Sequence, residues 1–127
     1  MTSYSFEDLE VYKKAREFRK KMYALSRLLP SEEKFNLVAQ IRRAAVSLTN
    51  NIAEGHGRFH YQENIQFLRQ SRGSLEELLD DINVCLDERY AKRDELEALK
   101  AEGFDLLKSI NGYVSYLRKR KIQDQLN

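Results

Sequence analysis

The sequence predicts an all-α protein that folds as an antiparallel, up-down-up-down four-helix bundle. Three observations carry this prediction. Apolar residues recur every three or four positions in four separate segments, the spacing that aligns them on one side of a helix. One proline and five glycines among 127 residues leave few breaks, and no segment alternates polar and apolar residues as a strand would. Only a few residues separate successive segments, so each helix must run back beside the previous one, within a single domain over residues 1–127.

The first helix is expected over residues 6–29. Ser5 precedes it and Asp8 follows three residues later, which resembles a capping box with Asp in place of the usual Glu or Gln. Pro30 should end the helix because it has no backbone N–H and disfavours helical geometry in the residue before it. The residues of its inward face are Val11, Ala15, Phe18, Met22, Leu25 and Leu29.

The second helix is expected over residues 32–54. Ser31 is expected to cap it, with Glu32 and Glu33 near the positive end of the helix dipole. Gly55 and Gly57 are expected to supply a left-handed turn at its end. The residues of its inward face are Leu37, Ile41, Ala45, Leu48 and Ile52.

This second helix carries unusually few charges, since Arg42 and Arg43 are the only charged residues between positions 36 and 53. A bundle helix with one face in water normally carries more. The face opposite Ile41 is therefore predicted to contact another copy of the chain, and a merely neutral, exposed face is the alternative. The residues of this low-charge face are Asn36, Ala39, Arg43, Val46 and Asn50.

The third and fourth helices are expected over residues 61–89 and 94–120. Cys85 lies in an apolar stretch, has no partner cysteine and is expected to be a small buried residue. The predicted inward positions are Tyr61, Ile65, Leu68, Arg72, Leu75, Leu79, Ile82 and Leu86 in the third helix. In the fourth they are Leu96, Leu99, Gly103, Leu106, Ile110, Tyr113 and Leu117.

Arg72 is the one charged residue at a predicted inward position, where a guanidinium is costly unless it is paired. It is expected to reach Glu76, Glu17 or a neighbouring subunit, or else to fill the seam with its stem and keep its charge in water. Residues 71–74 are expected to lie level with residues 43–45, where all residues except the two arginines are small and would let the two backbones approach closely.

No motif for catalysis, metal or cofactor binding is recognised. The chain has no glycine-rich phosphate loop and no Glu-x-x-His motif. His56 and His60, with Glu54 and Glu63, lie across a turn and lack the helical spacing that fixes a metal site. The first ten residues do not resemble a secretion signal, and nowhere do about 18 apolar residues run together. A non-enzymatic cytoplasmic protein is expected.

The charge is unevenly spread although its net value is only +2. Residues 1–30 carry seven Lys/Arg against four Asp/Glu, whereas residues 61–90 carry three against seven. Basic residues on the first helix, in the second turn and in the tail could neutralise phosphates without reading bases. Simple solvation of these side chains is the alternative. The candidate phosphate-contacting residues are Lys13, Lys14, Arg16, Lys20, Lys21, Arg58, Arg118, Lys119, Arg120 and Lys121.

Several segments resemble a family of bacterial four-helix-bundle proteins encoded by intervening sequences of 23S ribosomal RNA. They are FEDLEVY at 6–12, QIRRAAVS at 40–47, NIAEGHGR at 51–58, FL at 67–68 and RGSLEE at 72–77. His56 stands where the family commonly has an aromatic residue. The motif positions carried onto this chain are Arg42, Arg43, Ser47, Asn51, Glu54, Gly55, Arg58, Arg72, Gly73 and Glu77.

The resemblance implies a homopentamer and supplies no catalytic residue. Accessory proteins of diversity-generating retroelements are similar in architecture, and they partner a reverse transcriptase and bind nucleic acid. The sequence therefore favours a non-catalytic, homo-oligomeric protein that associates with RNA or DNA. The alternative is a protein-interaction scaffold that docks a partner enzyme such as a reverse transcriptase, with an incidental basic surface.

Overall fold

A computed structural model describes residues 4–126 as four α-helices: α1 (Glu10–Ser26), α2 (Leu37–His56), α3 (Tyr61–Glu88) and α4 (Arg93–Leu126). Two short 3-10 turns, Phe6–Asp8 and Ser31–Glu33, precede α1 and α2, and this part of the chain contains no strand. Each helix packs against its neighbours in the chain, and α1 packs against α4 to close the bundle. The all-α, antiparallel bundle is therefore confirmed. Residues 1–3 and 127, which the predicted domain includes, lie outside the described residues.

The core follows the predicted helical periodicity closely. Its largest fully buried side chains come from all four helices, among them Phe18, Ile41, Leu68 and Leu106. Cys85 is fully buried, as predicted, and burial raises the pKa of its thiol to about 11. None of the helices in residues 4–126 combines the length and apolarity needed to cross a membrane.

The start of α1 differs from the prediction. Ser5 and Asp8 do form a capping box: the Ser5 N–H donates to Asp8 Oδ2 at 2.7 Å, and Ser5 Oγ accepts from the Glu7 N–H at 3.2 Å. The box closes a 3-10 turn, because the backbone at Leu9 is extended and α1 begins only at Glu10. The helix also ends at Ser26, three residues before Leu29.

The predicted cap of α2 is wrong. Ser31 lies in a 3-10 turn, and α2 begins at Leu37 after the N-cap residue Asn36. Glu33 organises this connection instead: its Oε1 accepts from Asn36 Nδ2 at 3.0 Å, and its Oε2 accepts from the Tyr90 hydroxyl at 2.7 Å. The second bond joins the α1–α2 connection to the residues that follow α3.

The predicted left-handed turn at Gly55 and Gly57 is also wrong. No glycine in residues 4–126 has a positive φ, and Gly57 has φ −76°. Gly55 is instead buried inside α2, where a Cβ would lie 2.7 Å from Asn64 Oδ1 and 2.9 Å from Phe67 Cβ. Glycine is required there because α2 and α3 approach closely. The one described residue with a left-handed backbone is Arg89, which ends α3 with φ 58°.

Arg72 does not occupy an inward position. Ser71 does: it is fully buried, and its Oγ donates to the Leu48 carbonyl at 2.7 Å. Arg72 is half-buried and donates from Nη1 to Asn111 Oδ1 of α4 at 2.9 Å. In the described chain it forms no ion pair, with Glu76, Glu17 or any other carboxylate.

The predicted level of α3 against α2 is displaced by about one turn. Ser74 donates to Ser47 Oγ at 2.9 Å, so Ser71 and Ser74 lie beside residues 47–48 rather than 43–45. A connection centred between His56 and Tyr61 would by itself place residues 71–74 beside 43–46, so the two helices are also shifted along their axes. Gly73 is exposed, and a Cβ added there would meet nothing within 4 Å, so the expected close approach occurs at Gly55 instead.

Candidate nucleic-acid interface

The candidate basic residues of α1 are exposed but mostly engaged within the chain. Lys13 and Lys20 lie 3.5 Å from carboxylate oxygens of Glu10 and Glu17, one turn earlier on the same helix. The other contacts cross to α4, where Lys21 pairs with Glu102 and Lys14 donates to Ser109 Oγ at 3.0 Å. Arg16 is exposed and forms no ion pair with the described residues.

Acidic residues of α4 balance this face of α1. A shallow cavity of about 290 Å³ between the two helices is lined by Lys13 and Lys14 but also by Glu17, Glu102 and Asp105. The hydrogen bond and charge of Glu102 raise the pKa of Lys21. Each exposed ion pair is weak, but the acidic residues still cancel most of the positive charge of the lysines around them. The α1 face is therefore a weaker attractor of phosphate than its lysine count indicated.

The remaining candidates lie together at one end of the bundle, formed by the α2–α3 connection and the last turns of α4. We call Arg58, Arg118, Lys119, Arg120 and Lys121 the basic end. Lys121 Nζ donates to Gln62 Oε1 at the start of α3, at 2.9 Å, so the end of α4 lies beside the connection. A hydrogen bond with Tyr61 raises the pKa of the Arg120 guanidinium.

Arg58 is held by two contacts. Its guanidinium lies 4.7 Å from the centroid of the Phe67 ring, within cation–π range, and its Nη2 lies 3.7 Å from Glu54 Oε2. The Arg58 and Glu54 side chains are 43% and 61% exposed, so the pairing contributes little and leaves the charge available to a polyanion.

Aromatic residues that the charge pattern of the sequence did not single out surround the basic end. We call the cavity of about 480 Å³ at this end the end cleft. Its lining residues are Tyr4, Leu9, His56, Arg58, Phe59, His60, Tyr61, Asn64, Tyr113, Tyr116 and Leu117. An adjoining cavity of similar volume shares three of them and adds Gln62, Lys121, Asp124 and Gln125. The run Phe59-His60-Tyr61 directly after Arg58 was the sequence signal for this site.

Several rings of the end cleft are open to solvent. Phe59 is 95% exposed, Tyr4 67% and Tyr116 55%. The Phe59 ring stands perpendicular to that of His60 at 5.2 Å, and Tyr113 and Tyr116 lie within 13° of parallel with centroids 6.2 Å apart. Flat apolar surface and cationic groups are thus interleaved at this end.

Two polar groups form the deeper wall of the end cleft. Asn64 is 7% exposed, and its Oδ1 accepts no hydrogen bond from residues 4–126, although buried polar atoms usually have a partner. Burial raises the pKa of the neighbouring Tyr113 hydroxyl, and the Asn64 side chain acts in the opposite direction. In the described chain no group of three or more His, Cys, Asp or Glu residues is placed to hold a metal ion.

The low-charge face of α2 is directed away from the other helices. Asn36, Arg43, Val46 and Asn50 are exposed and Ala39 is half-buried. Asn36 donates to Glu33, and the polar side chains of Arg43 and Asn50 make no hydrogen bond with residues 4–126. The face is therefore open in the protomer and apolar enough at Ala39 and Val46 to be covered.

Most of the motif residues hold α2 in place. Arg42 donates from Nε to Ser26 Oγ of α1 at 3.0 Å, and Asn51 Nδ2 donates to the Ser47 carbonyl at 2.8 Å. Ser47 in turn accepts from α3, Glu54 pairs with Arg58, and Gly55 permits the close approach of α3. By contrast Arg43, Gly73 and Glu77 are exposed, with no such role in the protomer.

Comparison with known proteins identifies the family and the fold. A family model described as 23S rRNA-intervening sequence protein matches residues 7–112. The crystal structure of a protein of unknown function from the S23 ribosomal protein family of Bacteroides thetaiotaomicron is similar, with a TM-score of 0.75 and 22% identity. The similarity covers 82% of this chain and 97% of that chain, and it shows the fold alone. No curated protein matches. The family match ends before Tyr113 and the basic tail.

Proposed function

The chain belongs to the family of 23S rRNA-intervening sequence proteins, and from this premise we propose that it is a non-catalytic, homo-oligomeric protein that associates with RNA or DNA. The observation that carries the proposal is the gathering of Arg58 and the tail cations Arg118–Lys121 at one end of the bundle. Such a group of cations neutralises phosphates and releases their counterions. The α1 face, whose lysines are paired, contributes less.

Self-association through the low-charge face of α2 completes the proposal. The face is open in the protomer and combines Ala39 and Val46 with few charges, the composition expected near the core of an interface. A closed ring would repeat the basic end around its axis and raise the affinity for a long polyanion through multivalency. Five copies is the number that the family resemblance implies.

The oligomer is tested by sedimentation velocity at micromolar protein concentration. We expect an assembly for the unmodified protein and its dissociation by Val46→Glu, which places a charge on the proposed interface. Gln66→Glu, which adds the same charge to an exposed position of α3, serves as the control. A monomeric unmodified protein would contradict this part of the proposal.

Nucleic-acid association is tested by the salt dependence of binding to a labelled DNA duplex and a labelled RNA. The log–log slope should be about −0.9 per phosphate neutralised on B-DNA. Arg118→Gln together with Lys121→Gln should therefore make the slope shallower by up to about 1.8 per bound protomer. The matched control, Lys13→Gln with Lys20→Gln, removes two paired cations from α1 and should change the slope less.

A second function, a scaffold that docks a partner enzyme such as a reverse transcriptase, is favoured by one separate feature. At the opposite end of the bundle α1 and α4 enclose an open apolar groove of about 470 Å³. Its walls include Ala24, Leu25, Leu96 and Leu99, and Leu28 at its edge is 60% exposed. This function replaces the first if neither RNA nor DNA binds even at low salt.

A further inference from the structure

We propose that the end cleft binds an unpaired base of single-stranded nucleic acid, stacked on its exposed aromatic rings, while the basic end holds the flanking phosphates. The inference rests on the proposed function, because it names the form of nucleic acid that the same end of the bundle would select. It adds a recognition element, since phosphate contacts alone do not distinguish a single strand from a duplex.

Flat apolar side chains are exposed next to cations at this end of the bundle. Phe59, which directly follows Arg58, is 95% exposed. Tyr116, two residues before Arg118, is 55% exposed. Aromatic rings interleaved with basic residues are how proteins bind single strands, because every base has a face that stacks and every linkage carries a charge. Neither ring is needed for the core at this exposure.

The shape of the end cleft suits a single base. It is a concave space of about 480 Å³, within the range of small-ligand sites, so it admits a splayed-out base. Asn64 lies on its inner wall, but its Oδ1 is buried beside Gly55 of α2, so stacking on the rings rather than a bond to this amide would hold the base. Lys121 borders the adjoining cavity, beside the same Phe59.

A second exposed phenylalanine elsewhere in the chain provides a comparison. Phe35, at the opposite end of the bundle, is 88% exposed, and its ring lies 5.4 Å from Lys34 Nζ. It lines neither the end cleft, nor its adjoining cavity, nor any of the cavities between α1 and α4. Phe35 therefore shares the exposure and the neighbouring cation of Phe59 but lacks the cleft, which makes it the matched control.

A base inside a duplex cannot use this cleft without leaving its stack, which costs binding energy. The cleft should therefore favour single strands, loops and ends, the forms of RNA whose bases are accessible to aromatic side chains. The family match ends at residue 112, so Tyr116 and the tail cations that complete the site lie beyond it.

The test compares four fluorescent 12-mers by anisotropy at low salt: single-stranded oligo-U RNA, its DNA counterpart, the abasic ribose-phosphate strand, and an RNA duplex of matched length. The three single strands carry one phosphate per residue, so differences among them do not come from charge. Phe59→Leu keeps apolar bulk but removes the π face, and Phe35→Leu is the control. Removing one stacking partner should weaken single-strand binding about 5-fold to 150-fold. Binding of the abasic strand and of the duplex should change less than about 2-fold by comparison.

A second readout is the intrinsic tyrosine fluorescence of the protein, which has seven tyrosines and no tryptophan. A base stacked beside Tyr113 and Tyr116 should quench that emission, whereas the abasic strand should not. Tyr116→Leu should remove part of the quenching, and circular dichroism verifies that the exposed substitutions leave the helices intact. The RNA and DNA strands differ only at the sugar and base methyl, so equal binding excludes recognition of the 2′-hydroxyl, and the abasic strand then separates stacking from phosphate contacts.

The outcomes separate the two proposals. If the abasic strand binds as tightly as oligo-U, or if Phe59→Leu and Phe35→Leu have equal effects, no base is bound in the end cleft and the inference is overturned. The phosphate-binding function would then remain. If none of the four strands binds at low salt, both proposals are overturned together.

Discussion

Gly55→Ala should destabilise the protein because the α2–α3 interface has no room for a methyl group at this position. A Cβ there would lie 2.7 Å from Asn64 Oδ1, 2.9 Å from Phe67 Cβ and 3.1 Å from the Asn64 carbonyl oxygen. The Asn64 carbonyl oxygen is part of the α3 backbone and Phe67 Cβ is bonded to it, so neither atom can move away unless the helix moves. Overpacking of this kind typically costs about 1–3 kcal/mol.

The intrinsic preference of helices for alanine acts in the opposite direction. Replacing glycine by alanine inside a helix raises the free energy of unfolding by about 1 kcal/mol. With a steric cost at the upper end of its range, Gly55→Ala should therefore lower the free energy of unfolding by about 1–2 kcal/mol. Gly73→Ala is the matched control: Gly73 also lies inside a helix, but a Cβ there meets nothing within 4 Å. That substitution should stabilise the protomer by up to about 1 kcal/mol.

The assay is urea unfolding followed by circular dichroism at one fixed protein concentration, because assembly would otherwise shift the midpoints. The free energies of unfolding of the two variants should differ by about 2–3 kcal/mol with similar m-values. If Gly55→Ala is as stable as Gly73→Ala, the close packing of α2 on α3 is not what requires glycine. If Gly73→Ala destabilises instead, in a concentration-dependent way, another copy of the chain approaches α3 there.

Three further substitutions test separate parts of the fold. Burial raises the pKa of Asp81 from 3.8 to about 6, because the charged carboxylate is unfavourable in the folded state. The folded protein is therefore most stable, as far as Asp81 is concerned, below pH 3.8, and it loses this stability as the pH rises through about 6. Asp81→Asn should match the unmodified protein near pH 4 and be more stable by about 1–2 kcal/mol at pH 7.5, as measured by urea unfolding at both pH values; equal stability at pH 7.5 would contradict it. Tyr90→Phe should raise the pKa of Glu33, which the tyrosine hydrogen bond lowers, and carboxyl-carbon NMR titration against the unmodified protein measures the change. Ser71→Ala should lower the free energy of unfolding by about 1 kcal/mol through loss of the bond to the Leu48 carbonyl; no change would show that this bond contributes nothing net.

The periodicity of apolar residues was sufficient to predict the helices and most of the core, because burial of one face dominates the choice of structure. The boundaries depended on contacts that the pattern does not contain. The start of α2 is organised by Glu33, whose partner Tyr90 lies 57 residues away. A local cap at Ser31 could be proposed from the sequence, but a hydrogen bond between distant turns could not.

The misplacement of Arg72 has a different physical cause. The traced seam is correct on both sides of Arg72, since Leu68, Leu75 and Leu79 are all buried. At this level the small Ser71 side chain fits against α2 and donates to the Leu48 carbonyl, while the longer Arg72 side chain reaches Asn111 of α4. The buried position is the adjacent Ser71.

The candidate site was predicted only in part, for reasons of tertiary arrangement. Arg58 and the tail were recognised by charge, but the end cleft combines Tyr4, Phe59 and Tyr116, which are distant in the chain and meet through antiparallel packing. The same packing places Glu102 beside Lys21 and neutralises part of the α1 face. Charges counted along the sequence cannot reveal which of them are paired in space.

The length of α4 has a consequence for how the basic end would respond to a ligand. This helix has 34 residues, twice the 17 of α1, and none of its residues after Leu117 is buried. Backbone amides near Gly103 should therefore exchange with deuterium slowly, and those around residues 118–126 quickly, through opening of the last turns. A bound strand would slow exchange in those turns, at the cost of part of its binding energy, so the deuterium pattern itself would show where the strand lies.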